Sequence, residues 1–172
     1  VEKPDAGALV DQEAVPILEN DTALQVSMKV ASAAETVLRR SLPKLIAGNA
    51  QPAPLDLSQG SYFGRRRPED GRIDWRLGAR AVHDLVRAVA PPFPGAFTEV
   101  NGCRLEILET RMDTQPLSYP DRAPCLYCKD GAWYADCADG RRLKILQLTV
   151  NGESLAHNSV PRALSHQPLA LA

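Results

Sequence analysis

The sequence predicts an α/β segment followed by a small all-β unit that closes into a barrel. A long amphipathic helix is indicated in the first third of the chain, and short alternating apolar runs occupy the second half. Between these runs stand Asn101-Gly102 and Asp130-Gly131, dipeptides that two-residue β-hairpin turns favour. Five or so short strands joined by tight turns are typical of small barrels of the oligonucleotide-binding-fold kind.

Composition narrows the class of protein. The chain has 172 residues, 44% of them hydrophobic, which suits one ordinary domain or two small ones with a sizeable core. A formal net charge of −1 argues against a general nucleic-acid or membrane-surface binder. No window approaches the roughly 18 apolar residues that a membrane span needs, and the N-terminus does not resemble a signal peptide. We therefore expect a cytoplasmic protein that does not bind membranes.

The first third of the chain predicts strand followed by helix. Leu9–Leu18 is rich in β-branched and apolar residues and indicates one or two strands. Asp21 or Thr22 then caps a long helix that stops at Gly48-Asn49, with Pro43 expected to bend its last turns. The helix has a broad apolar face that the short preceding segment is too small to cover. It therefore needs a sheet or other helices to lie on.

A linker rich in Pro and Gly, residues 51–61, leads to a second helix and then to the β part. The helix is predicted over Ala79–Ala90, with Pro91-Pro92 ending it. His83 lies off its apolar face, which indicates a surface position. Arg111–Ala123 is expected to be a loop, and Asn151–Ala172 to be loose because it has no usable period. The predicted strands are Ala96–Val100, Cys103–Thr110, Leu126–Tyr127, Ala132–Cys137 and Leu143–Val150.

The four cysteines are candidate metal ligands. Cys125-x-x-Cys128 with Cys137 nearby could supply three zinc ligands, and Cys103 or a distant histidine the fourth. The spacing fits no strong template, so reduced thiols used as small core or strand residues are the favoured interpretation. No metal is predicted.

A basic stretch at Arg65–Arg67 is a candidate binding site. Guanidinium groups match phosphate oxygens, and the neighbouring Tyr62 and Phe63 could stack on a base. A solvated linker with incidental charge explains the same residues equally well. Asp5, in a tight loop before the first predicted strand, could orient a histidine and raise its pKa. Residue type alone favours a solvated loop there.

Two longer motifs resemble a known family. Residues 63–75, FGRRRPEDGRIDW, and residues 83–97, HDLVRAVAPPFPGAF, are similar to stretches of the folate-dependent formyltransferases. These include methionyl-tRNA formyltransferase and the formyltransferase unit of the polymyxin-resistance enzyme that acts on UDP-4-amino-4-deoxy-L-arabinose in lipid A modification. The lead-in Phe63-Gly64-Arg65-Arg66 resembles the sugar-nucleotide branch more than the tRNA branch.

The resemblance implies a domain plan and a set of site residues. Residues 1–57 would be the C-terminal end of a Rossmann-like catalytic domain, residues 58–72 a basic linker, and residues 73–172 a C-terminal β-barrel domain. Asp5 would be the catalytic aspartate. Separately, charge and placement make Arg65 and Arg66 the candidates for binding the diphosphate of the substrate. The contacts to the co-substrate 10-formyltetrahydrofolate would come from Val1, Glu2, Lys3, Pro4 and Asp5.

The implied reaction is formyl transfer from 10-formyltetrahydrofolate to a primary amine, with a UDP-linked amino sugar as the expected acceptor. Methionyl-tRNA is the alternative acceptor, and a non-catalytic nucleotide- or RNA-binding barrel is the alternative function. The family's catalytic Asn and His belong to an upstream motif, Asn-x-His-x-Ser-Leu-Leu-Pro, which this sequence does not contain. We therefore expect an N-terminally truncated chain that is inactive alone. The aromatic candidates for a stacking surface on the strands are few: Phe97, Trp133 and Tyr134.

Overall fold

The computed structural model describes residues 7–122, 124–155, 164 and 168–171. The chain forms two compact units, one from the residues up to Glu19 with Gln25–Arg66, the other from Asn20–Leu24 with the chain from Arg67 onward. None of the helices described is long and apolar enough to cross a membrane. In chain order the helices and strands are α1 (Ala23–Ile46), α2 (Ala79–Val89), β1 (Ala96–Val100), β2 (Cys103–Asp113), β3 (Cys125–Lys129), β4 (Ala132–Asp136), β5 (Arg142–Val150), β6 (Glu153–Ser154) and β7 (Leu169–Ala170).

Helix α1 dominates the first unit and ends where the sequence predicts. Gly48 has a φ of +68°, and its N–H donates to the carbonyl of Leu45 at 3.1 Å. The N–H of Asn49 donates to the carbonyl of Lys44 at 3.0 Å. Glycine adopts this left-handed conformation without steric cost, so it satisfies the last carbonyls of the helix. Pro43 is tolerated inside the final turn.

The predicted strand over Leu9–Leu18 is wrong. This segment makes a single isolated bridge, in which Leu9 and Ala53 exchange two backbone hydrogen bonds of 2.8 Å. A strand requires a neighbour that pairs along its length. Within the described part of the first unit, only Ala53 offers such pairing. The unit therefore contains one long helix and no described strand, and its derivation from a Rossmann-like domain stays a prediction.

The second unit is a nearly closed, barrel-like antiparallel sheet. Its strand order is β1-β2-β5-β4-β3-β7, with β6 pairing on β5. Both predicted hairpins are confirmed, because Asn101-Gly102 and Asp130-Gly131 have positive φ at both turn positions. A third turn of this kind, Asn151-Gly152, joins β5 to β6. The same dipeptide signal was present in the sequence there, inside a segment expected to be loose.

Those residues of the C-terminal segment that the structure describes take part in the barrel, contrary to the prediction. Beyond Val150 the chain adds β6, and β7 pairs with β3 through Leu169 and Leu126. Leu164 and Leu169 are buried in the core of the barrel. These two apolar side chains are buried although the sequence around them has no periodic pattern, so periodicity alone did not predict their position. Strand β2 also runs three residues past its predicted end, to Asp113.

Helix α2 packs its apolar face on the sheet, and the expected surface position of His83 is wrong. Val82, His83 and Val86 are all buried. The Nδ1 atom of His83 lies 2.8 Å from the hydroxyl oxygen of Thr110 on β2. A buried imidazole needs such a polar partner, and a helical wheel carries no information on where the sheet places one.

The motif residues that resemble the family have a structural role in this unit. Trp75 is fully buried, and its indole Nε1 donates to the Thr98 hydroxyl at 3.0 Å. The N–H of Ile73 donates to the carbonyl of Phe97 at 2.8 Å. A Cβ added to Gly71 would lie 2.6 Å from the carbonyl oxygen of Gly95, so only glycine permits this approach of two backbones. The segment before α2 is thereby fastened to β1.

Candidate functional site

The residues predicted to contact the folate lie outside the described part of the chain. They are Val1, Glu2, Lys3, Pro4 and the catalytic candidate Asp5. Their assignment stays a prediction.

Arg65 and Arg66 lie in a fully exposed stretch, since every residue from 51 to 70 is exposed. Next to them, Tyr62 and Phe63 expose 95% and 82% of their surface. Among the residues that the structure describes, neither arginine pairs with a carboxylate. Large aromatic side chains in water lose the free energy that burial would provide, about 1.5–3 kcal/mol each. The run Tyr62–Arg66 therefore offers flat rings and uncompensated guanidinium groups together.

The ends of this basic linker are fixed locally. Asp56 precedes the short turn Leu57–Gln59 and accepts hydrogen bonds from Ser58 and Gln59. The hydrogen bond from the Ser58 hydroxyl has the largest effect among those that hold the pKa of Asp56 below its usual value. At the other end, the N–H of Arg67 donates to the carboxylate of Asp70 at 2.8 Å. The run Tyr62–Arg66 lies between these two anchored points.

A second charged cluster, in the first unit, was not anticipated. Arg40 on α1 donates to both carboxylate oxygens of Asp11, at 2.7 Å each, and to Glu13 at 2.8 Å. The Ser41 hydroxyl also donates to Asp11. The Arg40 and Ser41 hydrogen bonds hold the pKa of Asp11 well below its usual range. Because one guanidinium group bridges the carboxylates of Asp11 and Glu13, we interpret the cluster as a contact that holds residues 11–13 on α1.

The second unit contains a buried polar network that sequence reasoning missed. Asp136 is fully buried and accepts three hydrogen bonds, from the N–H groups of Ser118 and Tyr119 and from the hydroxyl of Tyr127, at 3.0, 2.9 and 2.9 Å. Arg142 donates to Asp113 at 2.8 Å and to the carbonyl of Pro116 at 3.1 Å. The network fixes the loop between β2 and β3. Its hydrogen-bonded residues are 9 to 29 positions apart in the sequence, so no local motif marks the network.

Ionisation in this network follows from burial and pairing. Desolvation opposes the charge on Asp113, but the amide of Gln115 and the guanidinium of Arg142 hold the pKa of Asp113 below its usual value. Burial is also the main cause that raises the pKa of Tyr127. A charged arginine paired with an ionised aspartate, beside a neutral phenol, is therefore the favoured arrangement of Arg142, Asp113 and Tyr127.

The aromatic candidates on the strands do not present a stacking surface. Phe97 and Trp133 are buried. The guanidinium carbon of Arg104 also lies 3.6 Å from the centroid of the Phe97 ring. Tyr134 stacks on Tyr127, with 5.7 Å between the two ring centroids. The guanidinium carbon of Arg142 lies 4.8 Å from the centroid of the Tyr134 ring. Tyr134 is thus half-buried and already in contact with a protein ring and a guanidinium group. A nucleic-acid base requires a free ring face.

The cysteines fit the interpretation as strand and core residues. Cys125 and Cys137 are buried, and Cys128 is half-buried opposite Trp133. Burial, with a smaller effect of Asp139, raises the pKa of the Cys137 thiol to about 12. A thiol that stays protonated is a poor nucleophile and metal ligand. Within the described residues no group of three His, Cys, Asp or Glu side chains could hold a metal ion.

The fold of this chain is similar to that of two solved formyltransferases and of HypX. The N-formyltransferase from Helicobacter canadensis, solved with folinic acid and dTDP-3-aminofucose, superposes with a TM-score of 0.66 at 18% identity, over 82% of this chain and 50% of that one. HypX from Aquifex aeolicus, solved in complex with tetrahydrofolic acid, superposes with a TM-score of 0.63 at 20% identity, over 90% of this chain and 27% of that one. Methionyl-tRNA formyltransferase from Clostridium thermocellum superposes with a TM-score of 0.51 at 21% identity, over 66% of this chain and 48% of that one. The chain spans half or less of each of these proteins.

Sequence similarity identifies the family. Residues 65–159, more than half of the chain, match the family described as formyl transferase, C-terminal domain. The chain belongs to this family. The matched range begins at Arg65, contains α2 and all strands from β1 to β6, and includes the motif residues that fasten the segment before α2 to the sheet.

Proposed function

We propose that this chain forms the acceptor-side part of a folate-dependent formyltransferase. The reaction would transfer the formyl group of 10-formyltetrahydrofolate to the primary amine of a UDP-linked amino sugar, in the cytoplasm. The observation that supports this proposal is the run Tyr62–Arg66. It presents exposed rings and unpaired guanidinium groups at the start of the family-matched range. A nucleoside diphosphate has the complementary groups, a planar base and two phosphates.

In the proposed mechanism the amine attacks the formyl carbon and an oxyanion forms before tetrahydrofolate leaves. Arg65 and Arg66 hold the diphosphate, which orients the sugar amine. Asp5 raises the pKa of a histidine, so that this histidine accepts the proton released by the amine. The motif that provides this histidine, and an Asn that stabilises the oxyanion, is not among the residues of this chain.

The 172-residue chain alone is expected to show no formyl transfer. Purified chain would be incubated with a UDP-linked amino sugar and 10-formyltetrahydrofolate, and formylated product measured by mass spectrometry. A complete formyltransferase serves as the positive control. Formylated product that forms only when the chain is present would contradict the roles assigned to the His and Asn of the family motif. Other residues would then accept the proton and stabilise the oxyanion.

The basic linker is expected to bind UDP. Arg65→Ala with Arg66→Ala should weaken UDP binding by about tenfold, since exposed charge-assisted contacts to phosphate contribute up to about 1 kcal/mol each. Isothermal titration calorimetry on the full chain measures the affinity. Added salt should weaken the wild-type interaction as well, because the groups are exposed.

Arg141→Ala is the matched control, since Arg141 is also an exposed arginine but lies in the turn before β5. It should leave UDP affinity unchanged. If the wild-type chain does not bind UDP, or if Arg141→Ala weakens binding as much as the double substitution, the role given to Arg65 and Arg66 is wrong. Replacing Phe63 by Leu tests base stacking separately, and should weaken UDP more than inorganic pyrophosphate.

A further inference from the structure

We draw no further inference here: the strongest candidate, the cavity that residues of β4, β5 and β6 line, among them Trp133, Lys144, Leu148 and Ser154, carries no proposal because nothing in the structure shows what covers it.

Discussion

Trp75→Ala is expected to lower the free energy of unfolding of the second unit by about 3–5 kcal/mol. Trp75 is fully buried in the hydrophobic core, so its removal leaves a large cavity. The Thr98 hydroxyl loses its indole donor at the same time. Urea unfolding followed by the fluorescence of Trp133, the other tryptophan, measures the change.

Leu77→Ala is the control for this substitution. Leu77 lies two residues away but is half exposed, so its truncation should change the free energy of unfolding by only about 0.5 kcal/mol. A loss below about 1 kcal/mol for Trp75→Ala would show that the segment before α2 is not part of the cooperative core. The structural role that we assign to this family motif would then be wrong.

Asp136→Ala is expected to destabilise the second unit by about 3–6 kcal/mol, because it leaves one buried and two partly buried donors without an acceptor. A buried donor left unsatisfied costs about 1–3 kcal/mol, and one that solvent reaches costs less. The affected groups are the N–H groups of Ser118 and Tyr119 and the hydroxyl of Tyr127. Hydrogen exchange should show that the amides of Ser118 and Tyr119 lose protection before the rest of the barrel. The loop would then open while the strands remain paired.

Two further variants separate loss of the acceptor from loss of a charge. Asp136→Asn keeps the shape but replaces one accepting oxygen with a donor, so it should cost about half as much. Asp121→Ala removes an exposed carboxylate near the same loop and should be close to neutral. Unchanged exchange at Ser118 and Tyr119 in Asp136→Ala would show that the loop is fixed by other contacts.

Local sequence signals predicted those features whose physical cause is local. The Asn101-Gly102 and Asp130-Gly131 hairpins follow from the low cost of positive φ at these residues. The end of α1 at Gly48 and the end of α2 before Pro91 have causes of the same kind. Asn151-Gly152 shows that even a local signal can be overlooked when the flanking residues have no alternation.

Contacts between residues that are distant in the sequence decided those features of the fold that local patterns did not predict. His83 appeared to lie on a polar helix face, yet Thr110, 27 residues away, gives it a buried partner. Leu9–Leu18 has strand-like composition but pairs only at Leu9. Leu164 and Leu169 lack any pattern and still complete the barrel core. In each case the deciding factor is the presence or absence of a neighbour that the chain brings from far away.

The same division holds for function. The amino-acid sequence by itself determined the family, through the motif Asp70–Trp75 and the corner Pro91–Phe97, and it marked Arg65 and Arg66 as candidates. Only the tertiary structure decided that the motif residues are fastened into the barrel core. It also decided that Tyr62 and Phe63 remain in water beside those arginines. Burial and hydrogen bonding between distant segments separate a structural residue from an available one, and residue type alone does not contain that information.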